Sequence, residues 1–346
     1  MNKKLIIAAF AIVVVWLLVL TYLPNKTAEN NETNKVNEYV VSGISTDLSK
    51  IVEENRTSIV AVDQNENVSS GFIYKKIDNN LYVVTTLHGV SDDAYADIIL
   101  NSGAKLKGTV INKDIYLDLA LIKCDCAFDV IPLELGDSSL VKAGEFVIGI
   151  GTCGKLDYAF SSQFGMVSSE YREVECDVDY DDINYQYNIG AIQLSGEFSE
   201  GYSGTPVLNM FGQAIGIINS KDENVTLAST INEVKIVLDK MMNNEEYHRL
   251  NIGVSGKYIN KLENFETANL NIGIDIVNGY YVNNVKVASF AGNTGIIKGD
   301  IIHSINGKTI VDENSMLDII YSNENEYAFE VIRNNENIVL TGTIND

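Results

Sequence analysis

A chain of 346 residues is long enough for more than one domain, each with room for a substantial hydrophobic core. Its 47 acidic against 25 basic residues give a net charge of −22, which excludes a nucleic-acid partner or an anionic lipid face. Cys124, Cys126, Cys153 and Cys176 include no C-x-x-C pair, and with only three histidines they fit no zinc pattern, so no metal or cofactor is expected.

The first element is apolar. Leu5 to Leu23 reads LIIAAFAIVVVWLLVLTYL, with no charge and close to the roughly 20 residues a bilayer-spanning helix needs. Lys3 and Lys4 precede it, so the expectation is a single-pass anchor over residues 1–24, with the N-terminus cytoplasmic and the rest extracytoplasmic. The run is longer than a signal-peptide core and ends without an A-x-A cleavage site. Residues 25–45, rich in Asn, Glu, Lys and Thr, read as a flexible polar tether.

From Ile51 to Ser229 short β-type runs alternate with turn residues. The run from Gly71 and the run Leu81–Thr86 flank Asp78-Asn79-Asn80 as a hairpin; a second pair, Asp97–Leu100 and Lys105–Ile111, flanks Asn101–Ala104. Phe146–Ile150 and Ala214–Ile218 have the apolar character of buried strands, and the whole argues for a barrel or sandwich. The first good helical pattern is Ile231–Met242, with Ile231, Val234, Leu238 and Met241 on one face. Asn243–Glu246 then reads as a boundary. A smaller unit follows, with strands, a helix near Asn314–Tyr321 and a closing hairpin turned at Asn334-Asn335. The expected domains are 46–245 and 246–346.

Serine nucleophilic catalysis needs a serine on a sharp turn, a histidine to take its proton, a carboxylate to orient the histidine, and N–H groups aimed at the oxyanion. Gly201-Tyr202-Ser203-Gly204 offers the turn, with the Gly201 and Ser203 N–H groups as oxyanion hole. His88 closes the run Thr85-Thr86-Leu87-His88; His248, at the boundary, and His303, in the C-terminal unit, read as structural. Asp118 lies in Leu117-Asp118-Leu119-Ala120-Leu121-Ile122, where a carboxylate must find a partner to be buried. Asp114, four residues earlier, reads as solvated. The order His88, Asp118, Ser203 on a β background is the chymotrypsin order.

With these residues in place, the chain resembles the HtrA/Deg serine proteases from about Val68 to its end. The family's TxxH pattern resembles Leu81-Tyr-Val-Val-Thr-Thr-Leu-His88, and its DLA[VL][LI]K pattern resembles Asp118-Leu-Ala-Leu-Ile-Lys123. Its LGDSS stretch is similar to Leu135-Gly-Asp-Ser-Ser139, continuing to Cys153, and its GxSGGP to Gly201–Pro206. Two departures stand out: Thr205 replaces the second glycine, and the Leu194–Tyr202 stretch differs, so substrate preference does not carry over. In a chymotrypsin-like register Glu197 falls at the base of the specificity pocket, where it favours Lys or Arg. An acidic insert, Glu173–Asp182, reads as a surface loop.

The C-terminal unit resembles the family's single PDZ domain. Asn251, Ile252, Gly253 and Val254 match the carboxylate-binding loop and the start of the first strand, and Gly292–Gly307 is similar to AGLKxGDxIxxING. Leu317 and Tyr321 read as groove lining or core. The resemblance implies a mostly β, chymotrypsin-like double barrel followed by an α+β PDZ domain. It implies a serine endopeptidase without a cofactor, acting on unfolded or regulatory proteins outside the membrane. It also implies capture of peptide C-termini and a homotrimer. The alternative is an inactive protease-like scaffold that binds peptides through the PDZ domain. Outside the cytosol the four cysteines allow three disulfide pairings or free thiols.

Overall fold

In the computed structural model, residues 48–344 are described except 66, 91–93, 181–182, 197, 199–200, 223–224 and 263–275. The expected anchor and tether lie outside these residues. No helix among the described residues is long and apolar enough to cross a membrane.

Two closed six-stranded barrels dominate. The first is β1 (Ile59–Gln64), β2 (Asn67–Ile77), β3 (Asn80–Thr86), β4 (Tyr95–Leu100), β5 (Lys105–Asp114) and β6 (Leu119–Asp125), closed in the order β1-β2-β3-β6-β5-β4. The second is β7 (Phe146–Gly151), β8 (Ser161–Tyr180), β9 (Ile183–Ser195), β10 (Pro206–Leu208), β11 (Ala214–Asp222) and β12 (Val225–Thr230), closed as β10-β11-β12-β9-β8-β7. Alternation does the sorting, since every second residue of a strand faces inward. Val60, Val62, Ile73, Leu81, Val83 and Ile98 fill the first barrel, and Val147, Val167, Ile192 and Val207 the second. Each such side chain contributes on the order of 1.5–3 kcal/mol by leaving water.

Both hairpins read from the sequence in the first barrel are present. Asp78 takes a φ of +52° in the turn between β2 and β3, a conformation that Asp and Asn tolerate. The helix α1 (Leu48–Arg56) was not legible: its nine residues carry few apolar positions, and only Ile51 is buried. The helix α2 (Ile231–Asn243) buries Ile231, Val234, Leu238 and Met241 as expected. It ends at Asn244, which is left-handed with φ +53° and donates its N–H back to the last turn.

The C-terminal sheet runs β13 (Val254–Tyr258), β14 (Tyr280–Val285), β15 (Ile301–Ile305), β17 (Glu326–Arg333), β18 (Glu336–Thr343), with the short β16 (Lys308–Thr309) beside β15. Two helices cover it, α3 (Phe290–Thr294) and α4 (Glu313–Ile320). Asn334 and Asn335 both have positive φ, as a two-residue I′ hairpin turn demands. Asp312 caps α4 by accepting from the Ser315 N–H at 3.0 Å.

The acidic insert is not a loop. Residues 173–180 lie in β8, paired with β9, so this part of the insert is strand. All four cysteines are free thiols, with Cys124 and Cys126 buried in the first barrel. Burial pushes the Cys124 thiol pKa up to about 12, so it stays protonated and unreactive.

Candidate active site

His88 and Asp118 meet because of strand register. β3 and β6 pair antiparallel with Thr86 opposite Leu119, so the chain leaves β3 where it enters β6. The Leu87 N–H continues the ladder to the Asp118 carbonyl at 2.8 Å. Asp118 has φ +53°, a left-handed turn that Asp adopts more readily than most residues. Its carboxylate takes two hydrogen bonds from one residue. The His88 backbone N–H donates to Oδ1 at 2.9 Å, and His88 Nδ1 donates to Oδ2. That contact fixes the tautomer, leaving Nε2 as the basic nitrogen. The hydrogen bond to Asp118 holds the imidazole pKa above its usual value, against the burial that lowers it.

Ser203 arrives from the second barrel. Gly201 and Gly204 have φ of +94° and +82°. A Cβ on Gly201 would lie 1.9 Å from the Gly154 nitrogen, and one on Gly204 would lie 2.0 Å from the Ser70 carbonyl oxygen. Only glycine fits either place. Between them the Thr205 N–H closes a turn onto the Tyr202 carbonyl at 2.9 Å. Among the described residues neither the Gly201 nor the Ser203 N–H donates to a protein acceptor. Nor does a hydrogen bond join Ser203 Oγ to His88.

The serine turn is tied to the first barrel by groups with no sequence signature. The Ser70 N–H donates to the Ser203 carbonyl at 2.9 Å, and Ser70 Oγ accepts from the Thr152 N–H at 2.7 Å. Thr85 Oγ1 donates to the Ser70 carbonyl at 2.7 Å. Asn219 Nδ2 donates across the barrels to the Leu117 carbonyl at 2.9 Å, beside Asp118, and to Ser229 Oγ at 2.6 Å. Ser70 and Ser203 are 133 residues apart in sequence, and no local pattern connects them.

Thr205, the departure at the second glycine, is fully buried. Room for it comes from β7, where a Cβ on Gly151 would lie 2.1 Å from Thr205 Oγ1 and one on Gly149 would lie 3.2 Å from its methyl. The two glycines opposite thus leave room for the threonine side chain. Glu197 lies outside the described residues.

Asp114, expected in solvent, is buried instead. Its carboxylate accepts from the Leu117 N–H at 2.6 Å and from the Tyr247 hydroxyl at 2.7 Å. Burial raises its pKa to about 6. Its polar neighbours in sequence concealed a tertiary partner, Tyr247, from beyond α2. His248 is exposed and His303 sits on β15; among the described residues neither bonds to Ser203 or Asp118.

In the C-terminal sheet, the carbonyls of Ile252 and Gly253 are engaged by the N–H groups of Ala291 and Lys286, both at 2.9 Å. Gly253 has φ +76°, and a Cβ there would lie 2.2 Å from Ser289 Cβ. Asn251, Ile252, Gly253 and Val254 line a narrow cavity with Leu317 and Ile320 of α4. Tyr321 caps that helix and is core, its hydroxyl donating to Glu233 at 2.9 Å.

Two six-stranded barrels with His, Asp and Ser at their seam define the chymotrypsin-like class, and residues 69–217 match the trypsin-like peptidase domain. The chain is 28% identical over 331 residues to a protein of Staphylococcus epidermidis described as "Serine protease HtrA-like", covering 90% of this chain and 56% of that one. A protein of the same description from Staphylococcus aureus is 28% identical over 306 residues, covering 87% and 39%. The chain therefore spans about half the length of these curated relatives. Among solved structures, "HtrA-type protease AlgW with decapeptide" is similar in fold, with a TM-score of 0.53 at 17% identity over 85% of this chain and 97% of that one. Residues 69–217 are thus similar to trypsin-like peptidase domains, and most of the chain is similar to proteins described as HtrA-like serine proteases.

Proposed function

We propose that the protein is a serine endopeptidase of unfolded or regulatory proteins, with Ser203 as nucleophile, His88 as general base and then acid, and Asp118 as the group that orients His88. The observation that carries this reading is the two-point contact of Asp118 with His88, which leaves Nε2 free to take a proton. In the reaction Ser203 Oγ attacks the peptide carbonyl as His88 Nε2 accepts its proton. The Gly201 and Ser203 N–H groups stabilise the oxyanion, and His88 then protonates the leaving amine. Water repeats the sequence on the acyl-enzyme. The test is cleavage of casein by the parent beside its Ser203→Ala variant.

The acid limb of that activity follows from His88. Its pKa stands above the ordinary 6.5, so the inactive imidazolium persists to higher pH than in a free histidine. The kcat/KM of peptide hydrolysis should fall as pH drops through a midpoint above 6.5. Asp118→Asn should move that midpoint down. A midpoint below 6 in the parent (roughly half a unit under the free value) would remove His88 as the base.

The C-terminal sheet acts in this reading as a PDZ domain, the cavity at Asn251–Val254 receiving a peptide carboxylate while the peptide adds a strand to β13. Residues 1–24 anchor the chain, holding the catalytic unit on the extracytoplasmic side. The mature chain should then retain them, and a mature N-terminus near Asn30 would overturn the anchor. The second reading, a scaffold that binds peptides without cleaving them, draws on the absence of a Ser203–His88 hydrogen bond. It requires that the parent not cleave casein even with a groove-binding peptide added.

A further inference from the structure

The groove between β13 and α4 is already occupied by the protease part of the same chain. Among the described residues β13 pairs only with β14 and so forms an edge of the sheet. Across its open side lies β8. The Glu173 carboxylate accepts from Tyr280 Oη of β14 at 3.2 Å and from Asn188 Nδ2 at 2.9 Å, and it lines the groove together with Val254 and Tyr258 of β13. Tyr171 packs edge-on against Tyr258 at the far end of β13. A carboxylate seated in the groove beside an edge strand stands where an incoming strand would have to lie.

The groove is also unusually acidic. Glu173, Glu233 and Glu313 line it with one arginine, Arg249. That arginine is committed to Glu233, with Nε donating at 2.8 Å. Glu313, the first residue of α4, has the Thr230 hydroxyl as donor at 2.8 Å and no ion-pair partner among the described residues. The nearby Lys261 turns to the Ser139 carbonyl at 3.3 Å. Burial raises the Glu313 pKa to about 7 and that of Glu173 above the usual range. A carboxylate in such a place is stabilised by an arriving cation.

Register says where the cation would sit. The loop at Asn251–Val254 precedes β13, so a peptide whose C-terminus reaches it runs antiparallel to β13. The loop lies beside the C-terminal end of α4, where the Leu250 N–H donates to the Ile320 carbonyl at 3.0 Å. From Leu317 back to Glu313 the helix rises about 6 Å, the span of roughly two strand residues. Side chains alternate along the added strand, so the residue two before the last faces the helix at Glu313.

Resting on the PDZ reading above, we propose that Glu173 plugs this groove, and that the ligand displacing it is a peptide C-terminus with Lys or Arg two residues before its last residue, received by Glu313. The whole-chain charge of −22 favours the same basic ligands and disfavours acidic ones. The groove thereby couples ligand arrival to the β8–β9 hairpin, whose outgoing strand β9 leads into the segment carrying Ser203.

The test is fluorescence anisotropy of labelled decapeptides on the full-length chain in detergent. They end in Lys-Phe-Val, Ala-Phe-Val or Glu-Phe-Val as free acids, with an amidated Lys-Phe-Val control. The lysine peptide should bind roughly tenfold tighter than the alanine peptide, as one charge-assisted contact allows, and the glutamate peptide weakest. Glu313→Gln should erase that ranking while leaving the alanine peptide unchanged, which also shows that the groove is folded. Glu173→Ala should tighten all three acids. Equal binding of the lysine and alanine peptides, or a ranking that survives Glu313→Gln, overturns the role of Glu313. Unchanged affinities in Glu173→Ala overturn the plug. An amide that binds as well as the acid overturns the PDZ reading itself.

Discussion

Ser203→Ala is expected to lower casein hydrolysis by roughly four to six orders of magnitude, the loss seen when a triad nucleophile is removed from a serine protease. The expectation rests on how the turn is held. Gly201 and Gly204 pin the backbone of Ser203 between the Gly154 turn and β2, and Ser70 fixes its carbonyl at 2.9 Å. Alanine fits the same backbone, so folding and peptide binding should survive and only Oγ is lost. Asp118→Asn should cost about 10⁴ in kcat, because an amide at that position no longer selects the Nδ1–H tautomer of His88. Residues that act as a unit are not additive. A Ser203→Ala, His88→Ala double variant should therefore be no slower than Ser203→Ala alone. Hydrolysis that persists in Ser203→Ala would assign the activity elsewhere; none in the parent would favour the scaffold.

The three residues of the proposed triad could be singled out because each lies at a strand end in a short pattern with one plausible chemistry. His88 and Asp118 follow from the pairing of two apolar runs, and Ser203 from two glycines whose positive φ the structure uses. What supports the triad was not legible. Ser70, Thr85 and Asn219 are ordinary polar residues on strands, and their roles appear only when the barrels close and bring Ser203 and Leu117 within reach. Asp114 was misjudged because burial of a carboxylate depends on a donor 133 residues away, Tyr247. The acidic insert was misjudged for a related reason. Charged residues discourage a strand reading, yet Glu173 takes one donor from β9 and another, Tyr280, from the C-terminal sheet, which pattern analysis of one segment does not see. The C-terminal unit itself was legible in outline, since its Asn-Asn turn and helix cap are local signals.

Glu233→Ala should destabilise the folded chain by about 3–5 kcal/mol, the cost of leaving a buried charge without its partner. Glu233 and Arg249 side chains are 1% and 4% exposed. The carboxylate also takes the Tyr321 hydroxyl, and the Arg249 guanidinium lies 6.0 Å from the Tyr187 ring centre. The two halves of the pair are not equivalent. A guanidinium does not deprotonate, so Glu233→Ala strands its charge at every working pH. Arg249→Met strands a carboxylate that can take up a proton, with Tyr321 still in place to bond it. The double variant Glu233→Leu, Arg249→Met should recover most of the loss, since an apolar pair of similar volume removes both desolvation costs. Urea unfolding followed by far-ultraviolet circular dichroism gives each number. A cost below about 1 kcal/mol for Glu233→Ala would mean that water reaches the pair and that it does not hold α4 against α2. If the cost is as large as expected, the same variant loosens the helix bearing Glu313. Its affinity for C-terminal peptides should then change while casein hydrolysis per folded molecule does not. That separation would place Arg249 and Glu233 in the docking of the C-terminal sheet and outside the chemistry at Ser203.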